Sequence, residues 1–507
     1  MPERWTVRGL LVSAALLAGL MLGVTPVFAG YAAGPPVLVP DKPLAGNAAC
    51  AAVIALQHQA LPNTVNYPDA EVEPWIAAAG GGRFIGAVQQ DRWNDGGSNG
   101  LTLTYFDGTA WHLAQSQPKF SICEGAAQGT AAYRQRATDP WVSVSPDGSA
   151  YAISDSFDAS GPGFGGPSTI LISKSTDHGV NWGDPVSVEF DAGAGVLNDK
   201  ESITADPTNS NRVYAIWDRL QNPSLSARFD AFNHTFAYRG PTMFSSTGDG
   251  GRTWSPGHVI YDPGEWNQTI GNQIVVQPDG TLVDLFDLIN NEHGPFGRNA
   301  STTFQVAVMT STDHGASWSA PTIVANIVDT QVTTLDGQNI RTGDILPEVA
   351  VDHRNGNLYT AFQTSASVAF SESTDGGHKW SSPVTVGKSG AAQAFTPNIV
   401  VAANGTVGIS YYDLRNATAA NPGYTNTWFD TCSVSCSLAS SWSEIELDTT
   451  GGFDMKSAPL TGSGYFVGDY ESVAPNGTSG FQPLWVMGRP QATHGPTDPF
   501  SSSVTGS

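Results

Sequence analysis

Ser175-Thr176-Asp177-His178-Gly179-Val180-Asn181-Trp182 decides the fold, because the chain repeats its pattern. Ser/Thr-x-Asp-x-Gly-x-x-Trp returns at Thr247–Trp254, Ser311–Trp318 and Ser373–Trp380. Weaker copies end at Trp111, after Phe106-Asp107-Gly108, and at Trp442, just beyond Cys432 and Cys436. From 111 to 442 the six tryptophans are spaced 71, 72, 64, 62 and 62 residues apart. A regular period of this length marks a repeat architecture. Each copy reads as a hairpin turn: Asp accepts hydrogen bonds from the turn's own backbone, Gly takes a left-handed conformation, and Trp packs inward.

A second repeat runs between these turns. Strand–turn–strand units recur at Trp75–Gln89, Trp141–Ser154, Ser202–Trp217, Gln273–Phe286, Glu348–Phe362, Asn398–Tyr411 and Glu471–Val486. Turns such as Pro146-Asp147-Gly148, Pro278-Asp279-Gly280 and Asn404-Gly405 sit between runs of Val, Ile, Ala and Tyr. These units predict the inner strand pairs of four-stranded blades, with the Trp turns joining the outer pairs. The fold class is therefore all-β, a β-propeller. Seven inner pairs against six Trp turns predict seven blades, the last completed by residues around Leu61–Tyr67, which would leave no open sheet edge. Four segments follow: a signal peptide at 1–29, a closing segment at 30–69, the propeller at 70–490 and a poorly ordered tail at 491–507.

Composition agrees. Among 507 residues there are 56 Gly and 33 Pro, only 14% are charged, and 14 Trp, 22 Phe and 14 Tyr supply core. Many short strands with tight turns fit that balance. The net charge of −23 argues against nucleic acid and anionic membranes as partners. Arg4 and Arg8 precede an apolar stretch from Leu10 to Val24, and Val27-Phe28-Ala29 offers a cleavage site. The chain is thus expected to be secreted, or held at the cell surface if that segment stays uncleaved. Four cysteines suit an oxidising compartment. Cys432 and Cys436 are near enough to bridge, which leaves Cys50 for Cys123, although three pairings are open in principle. Asn-x-Ser/Thr occurs at Asn233, Asn267, Asn299, Asn404, Asn416 and Asn476.

In these Trp turns the chain resembles the Asp-box (BNR) repeats of the sialidase superfamily, over roughly residues 70–490. The resemblance implies a propeller whose Asp boxes are structural and lie away from the active site. It also implies six blades, the alternative to the count of seven. For function it implies a glycosidase acting on terminal sialic acid or a related acidic sugar. Such enzymes hold the substrate carboxylate with three arginines and use a Tyr nucleophile, a Glu beside it and an Asp acid/base. Arginines suit a carboxylate because their contacts are bidentate and permanently charged. The Phe/Tyr-Arg-Ile-Pro motif usual near the first blade of sialidases is absent. Arg83-Phe84-Ile85-Gly86 echoes it only superficially, inside a predicted strand.

The face opposite the boxes carries irregular loops rich in charge and aromatics, so the site is expected there. The residue opening each inner strand is Pro74, Pro140, Pro347 or Pro397 in four units, but Glu201, Asn272 and Tyr470 in three. On that basis Tyr470 is the candidate nucleophile and Glu201 its base, with Asp91, Asp199 or Asp218 as acid. Arg92, Arg219 and Arg415 are candidates for the clamp, with Arg341 and Arg489 in reserve, and Asn272, Trp93 and Trp266 for substrate contact. Two further readings stay open: another carbohydrate-active hydrolase or lyase on this scaffold, and a non-catalytic propeller binding a glycan or protein through Trp93, Trp266, Tyr424 and Trp428. The expected partner is a carbohydrate or glycoconjugate, and the protein a monomer. No histidine pair has metal-ligand spacing, so no cofactor or metal is called for, although calcium in the acidic loop Asp199–Glu201 stays open.

Overall fold

The computed structural model describes residues 30–159, 166–193, 195–221, 239–292, 301–388, 393–489 and 495–506. The signal segment and the Asn233 and Asn299 sequons lie outside them. The described chain is all-β, with one α-helix, Ala48–Ala60, and otherwise sheets of mostly four strands, antiparallel except where Asn339–Arg341 meets Gly464–Phe466.

Most sheets are built the same way. Glu71–Ala78, Phe84–Arg92, Ser98–Phe106 and Trp111–Leu113 pair in chain order, and Arg136–Val144, Ala150–Phe157, Ser168–Ser175 and Val186–Asp191 repeat the arrangement. Further sheets begin with Val196–Ala205, Gln268–Val276, Glu348–Val351 and Ala394–Val401. The last begins with Ser472–Asn476, followed by Gly480–Gly488 and Thr497–Ser501. These first strands touch one another in chain order, and Ser472–Asn476 touches Glu71–Ala78, closing a ring. Apolar clusters fill the spaces between neighbouring sheets; one joins Ile153, Ile172, Ile203 and Trp217.

The four Trp turns share one hydrogen-bond set. The Ser/Thr hydroxyl accepts from the Gly N–H four residues on, at 3.0, 3.0, 2.8 and 3.0 Å for Ser175, Thr247, Ser311 and Ser373. The Asp carboxylate accepts from the N–H four residues on, at 2.9, 3.0, 2.9 and 2.8 Å for Asp177, Asp249, Asp313 and Asp375. Gly179, Gly251, Gly315 and Gly377 all have φ between 81° and 90°, where a Cβ is strained. Trp182 is buried and its indole N–H donates to the Gly179 carbonyl at 3.0 Å.

Two expectations about the chain ends need correction. The N-terminal segment closes the last sheet through Val37–Leu38, which pairs with Thr497–Ser501, and Tyr31–Ala33, which pairs with Val504–Gly506. Around Leu61–Tyr67 there is only an isolated bridge, Asn66 to Trp93. The Cys50–Cys123 disulfide pins Ala48–Ala60 to the connection between Trp111–Leu113 and Arg136–Val144, and the residues ahead of the helix are the ones that meet the last sheet's edge. Nor are residues 491–507 a loose tail throughout: Phe500 and Val504 are buried within those two strands. Their Gly, Ser, Thr and Pro neighbours hid a strand signal that rests on a few apolar residues. The second disulfide joins Cys432 to Cys436. No helix among the described residues is long and apolar enough to cross a membrane.

Candidate functional site

The inner strands do not run regularly into the loop face. Register breaks fall between Val72 and Trp75, Thr138 and Trp141, Asp199 and Ser202, Ile270 and Gln273, and Phe395 and Asn398. At these breaks one residue takes a left-handed backbone: Glu73 at φ 54°, Asp139 at 51°, Lys200 at 49°, Gly271 at 70° and Thr396 at 51°. Such bulges re-aim side chains, and the conformation costs a non-glycine residue about 1–3 kcal/mol. The strained residues include the charged ones that meet.

Lys200 Nζ lies 2.9 Å from Asp469 Oδ2, 3.1 Å from Asp139 Oδ2 and 3.6 Å from Glu73 Oε1. Arg341 grips Asp469 with two contacts, Nε to Oδ1 at 3.1 Å and Nη2 to Oδ2 at 2.6 Å. Arg92 and Arg341 sandwich the buried Phe466 ring, 4.6 and 4.5 Å from its centroid. Arg341 and Phe466 arrive on two long loops whose short strands, Asn339–Arg341 and Gly464–Phe466, pair in parallel. Gly343 lets these loops meet: a Cβ there would sit 1.8 Å from the Asp469 carbonyl oxygen. Glu73, Arg92, Asp139, Asp155, Asp199, Lys200 and Arg341 line one cavity of about 30 Å³, room for roughly one water.

The carboxyls there differ sharply in proton affinity. Burial alone would raise Asp139, but the Lys200 ammonium and a hydrogen bond with Glu73 outweigh it and hold it well below the usual range. Burial, opposed by Lys200 and reinforced by Asp139, pushes Asp199 up to about 7. Glu73 is driven up by burial and by Asp139 and Asp469, against the pull of Lys200. Burial works against a charged Lys200, yet Asp139, Asp469, Glu73 and Asp199 together raise its pKa well above the ordinary value. Asp199, half-buried, and Arg341 keep part of their surface open, whereas Glu73, Arg92 and Asp139 are buried.

Tyr470, Glu201 and Asn272, singled out in the sequence, line a neighbouring cavity with Trp141, Lys200 and Glu348. The Tyr470 hydroxyl donates to the Pro140 carbonyl at 3.2 Å, and its ring meets Trp75 and Trp141 edge-on. Burial, then Glu73, Asp139, Glu201 and Asp469, pushes its pKa well up. Glu201 accepts the Asp155 N–H and is itself driven up by burial, Asp139 and Asp155. The Asn272 amide donates to Asp284 at 2.8 Å.

Other candidates sit elsewhere. Asp91 is buried and accepts from the N–H groups of Leu44, Ala45 and Asp69 at 2.9, 2.7 and 2.8 Å, which makes it an anchor for the N-terminal segment. Asp218 is buried and accepts the Gly271 N–H at 3.0 Å, tying two sheets together. Arg219 pairs with Asp191, Arg489 with Asp498 at 2.6 Å, and Arg415 with Glu444 at 2.7 Å while lying 3.7 Å over Trp428. None of the three lines either cavity. Trp93 is not on a rim: it is fully buried, donating to Asn99 at 2.9 Å beneath the Arg136 guanidinium. Trp266 is half-buried at φ 69°, and the Tyr424 hydroxyl accepts from Gly452 at 2.8 Å.

Sequence reasoning missed Glu73, Asp139 and Asp469, each one position before the strand-opening residues it compared. The signal was present, since Glu73-Pro74, Asp139-Pro140, Lys200-Glu201 and Asp469-Tyr470 align.

No family model matches the chain. A curated sialidase from Micromonospora viridifaciens is 27% identical over 270 residues, 49% of this chain and 36% of that protein. The chain thus matches little more than a third of that relative's length. Among solved structures, an α-L-arabinofuranosidase from Fusarium graminearum superposes with a TM-score of 0.47 at 12% identity, over 94% of this chain and 98% of that one. A Hadza microbial sialidase gives 0.47 at 14% identity, over 81% and 75%. Likeness at this level does not fix activity.

Proposed function

We propose that this protein is an exported, seven-bladed Asp-box propeller that cleaves glycosidic bonds at an acidic or polar sugar. The ring of first strands and the repeated Trp turns support the architecture. The two disulfides support export.

One observation carries the activity: carboxyls with proton affinities driven apart, Asp139 down and Asp199 up to about 7, share a cavity with Arg92, Arg341 and Lys200. Opposed pKa values on neighbouring carboxyls assign acid and base roles. Asp199 is then the general acid, passing its proton to the glycosidic oxygen. Asp139 stays ionised and stabilises the positive charge that develops on the sugar; as the C–O bond breaks, a water attacks the anomeric carbon and gives its proton to the Asp199 carboxylate, which restores the acid. Arg341, which keeps a small part of its surface exposed while it grips Asp469, meets the sugar's anionic or hydroxyl groups. The cavity admits a water and no sugar ring, so the glycan rests above it with the ionic set as a floor. The named activity of the Micromonospora relative points the same way.

A second reading keeps Tyr470 as nucleophile with Glu201 beside it, as in sialidases. It is supported by their shared cavity with Asn272. It requires the Tyr470 hydroxyl to leave the Pro140 carbonyl, because a phenol held there with a raised pKa is a poor nucleophile.

Hydrolysis of an alkyl sialoside and of an alkyl α-L-arabinofuranoside, whose poor leaving groups need a proton to depart, tests both readings. The first predicts that Asp199→Asn abolishes turnover while Tyr470→Phe only lowers it. Abolition by Tyr470→Phe with Asp199→Asn active establishes the second. No turnover of either substrate removes both.

A further inference from the structure

A second acidic cluster lies away from the axis, where the chain closes on itself. Asp41, Asp69 and Glu71 each bring one carboxylate oxygen to within 4.8 Å of the other two. They come from different parts of the molecule: Asp41 from the N-terminal segment just after Val37–Leu38, Asp69 and Glu71 from the start of the first sheet. Asp498, on the last sheet's Thr497–Ser501 strand, acts on both Asp41 and Glu71 electrostatically.

Hydrogen bonds within the cluster satisfy only part of it. Asp69 Oδ2 accepts the Gly495 N–H at 2.8 Å. Glu71 is fully buried; Oε1 takes the Gln90 amide, and Oε2 has no hydrogen-bond partner. A buried carboxylate oxygen without a donor is costly. Here its nearest charged neighbours are other carboxylates, and none of these three residues makes an ion pair to Lys or Arg among those of the described residues. Three converging hard oxygens, one of them from a fully buried carboxylate that lacks a donor on its Oε2, with no His or Cys, match a hard divalent cation.

We propose that Asp41, Asp69 and Glu71 bind a calcium ion that fastens the N-terminal segment to the first sheet, beside the strand that completes the ring. Calcium suits them better than magnesium, because it accepts irregular oxygen geometry and more ligands. The site is separate from the axial carboxyls and does not rest on the proposed catalysis.

Isothermal titration calorimetry of chelator-treated protein with calcium chloride tests it, alongside thermal unfolding with and without calcium. One ion per chain is expected, with a melting temperature raised by about 3 °C at saturation. Asp41→Asn, in the half-buried strap, and Glu71→Gln, which keeps the contact with Gln90, should each weaken uptake at least tenfold and remove the thermal shift. Calcium uptake unchanged in both variants places the ion elsewhere and overturns the proposal. So does a wild-type protein that takes up no calcium and melts identically in chelator, a result that needs no variant to fold.

Discussion

Lys200 carries one positive charge among Asp139, Asp469 and Glu73, all of them buried. Removing one partner of such a set leaves charge unpaired in a low dielectric, at a cost of about 3–5 kcal/mol. Lys200→Met should therefore lose about that much stability in urea titration, although it adds apolar surface. Asp199 should behave oppositely. Its carboxyl, raised from 3.8 to about 7, binds its proton more tightly folded than unfolded. That contribution to stability is complete below about pH 4 and is lost as pH rises through 7. Asp199→Asn escapes this loss, so its melting temperature should gain on wild type between pH 4 and 7 and hold the gain above. Stability bought with lost turnover is what a residue kept for chemistry should show.

At the scale of the element, the Trp turns and the bulges divide the labour between the two faces. Trp182 packs in the core of the first two sheets and lines neither cavity. Trp182→Ala should cost about 3–5 kcal/mol in denaturant unfolding and leave KM unchanged. The backbone beside the ionic residues is less forgiving. Gly468 has φ 147°, and a Cβ there would come within 2.7 Å of the Tyr470 carbonyl and 2.9 Å of the Glu73 nitrogen. Gly468→Ala should displace Asp469 from Lys200 and lower kcat more than it lowers stability. The same contrast explains what the sequence made legible. The Trp turns are local, with Ser, Asp, Gly and Trp within eight residues, so their period could be counted. Glu201, Asn272 and Tyr470 could be singled out by aligning repeats. Asp139 and Lys200 align one position earlier, where regular alternation along a strand would turn them to the opposite side. Only the left-handed turn of the backbone at each bulge brings them together. Arg219 is held outside the two cavities by Asp191, remote in sequence, and Arg415 by Glu444 and by its near neighbour Asp413.

The whole molecule is a ring closed by its own ends, so its stability depends on how the ends are held. Cys50–Cys123 spans 73 residues and ties the N-terminal helix to the loop that follows the first sheet. By loop length, replacing both cysteines with serine should cost about 4 kcal/mol, read as a lower midpoint in guanidinium. The axial site, framed by seven first strands in contact, should keep its KM in that variant at temperatures where it stays folded. The central claim is that Asp199 protonates a glycosidic oxygen in the ring's axial cavity. The most direct measurement compares kcat/KM of wild type and Asp199→Asn on two glycosides of the same sugar, one with a poor and one with an activated aryl leaving group. General acid catalysis predicts a loss of about 10²–10⁴ with the poor leaving group and little loss with the activated one. An equal loss on both, or none on either, would contradict it.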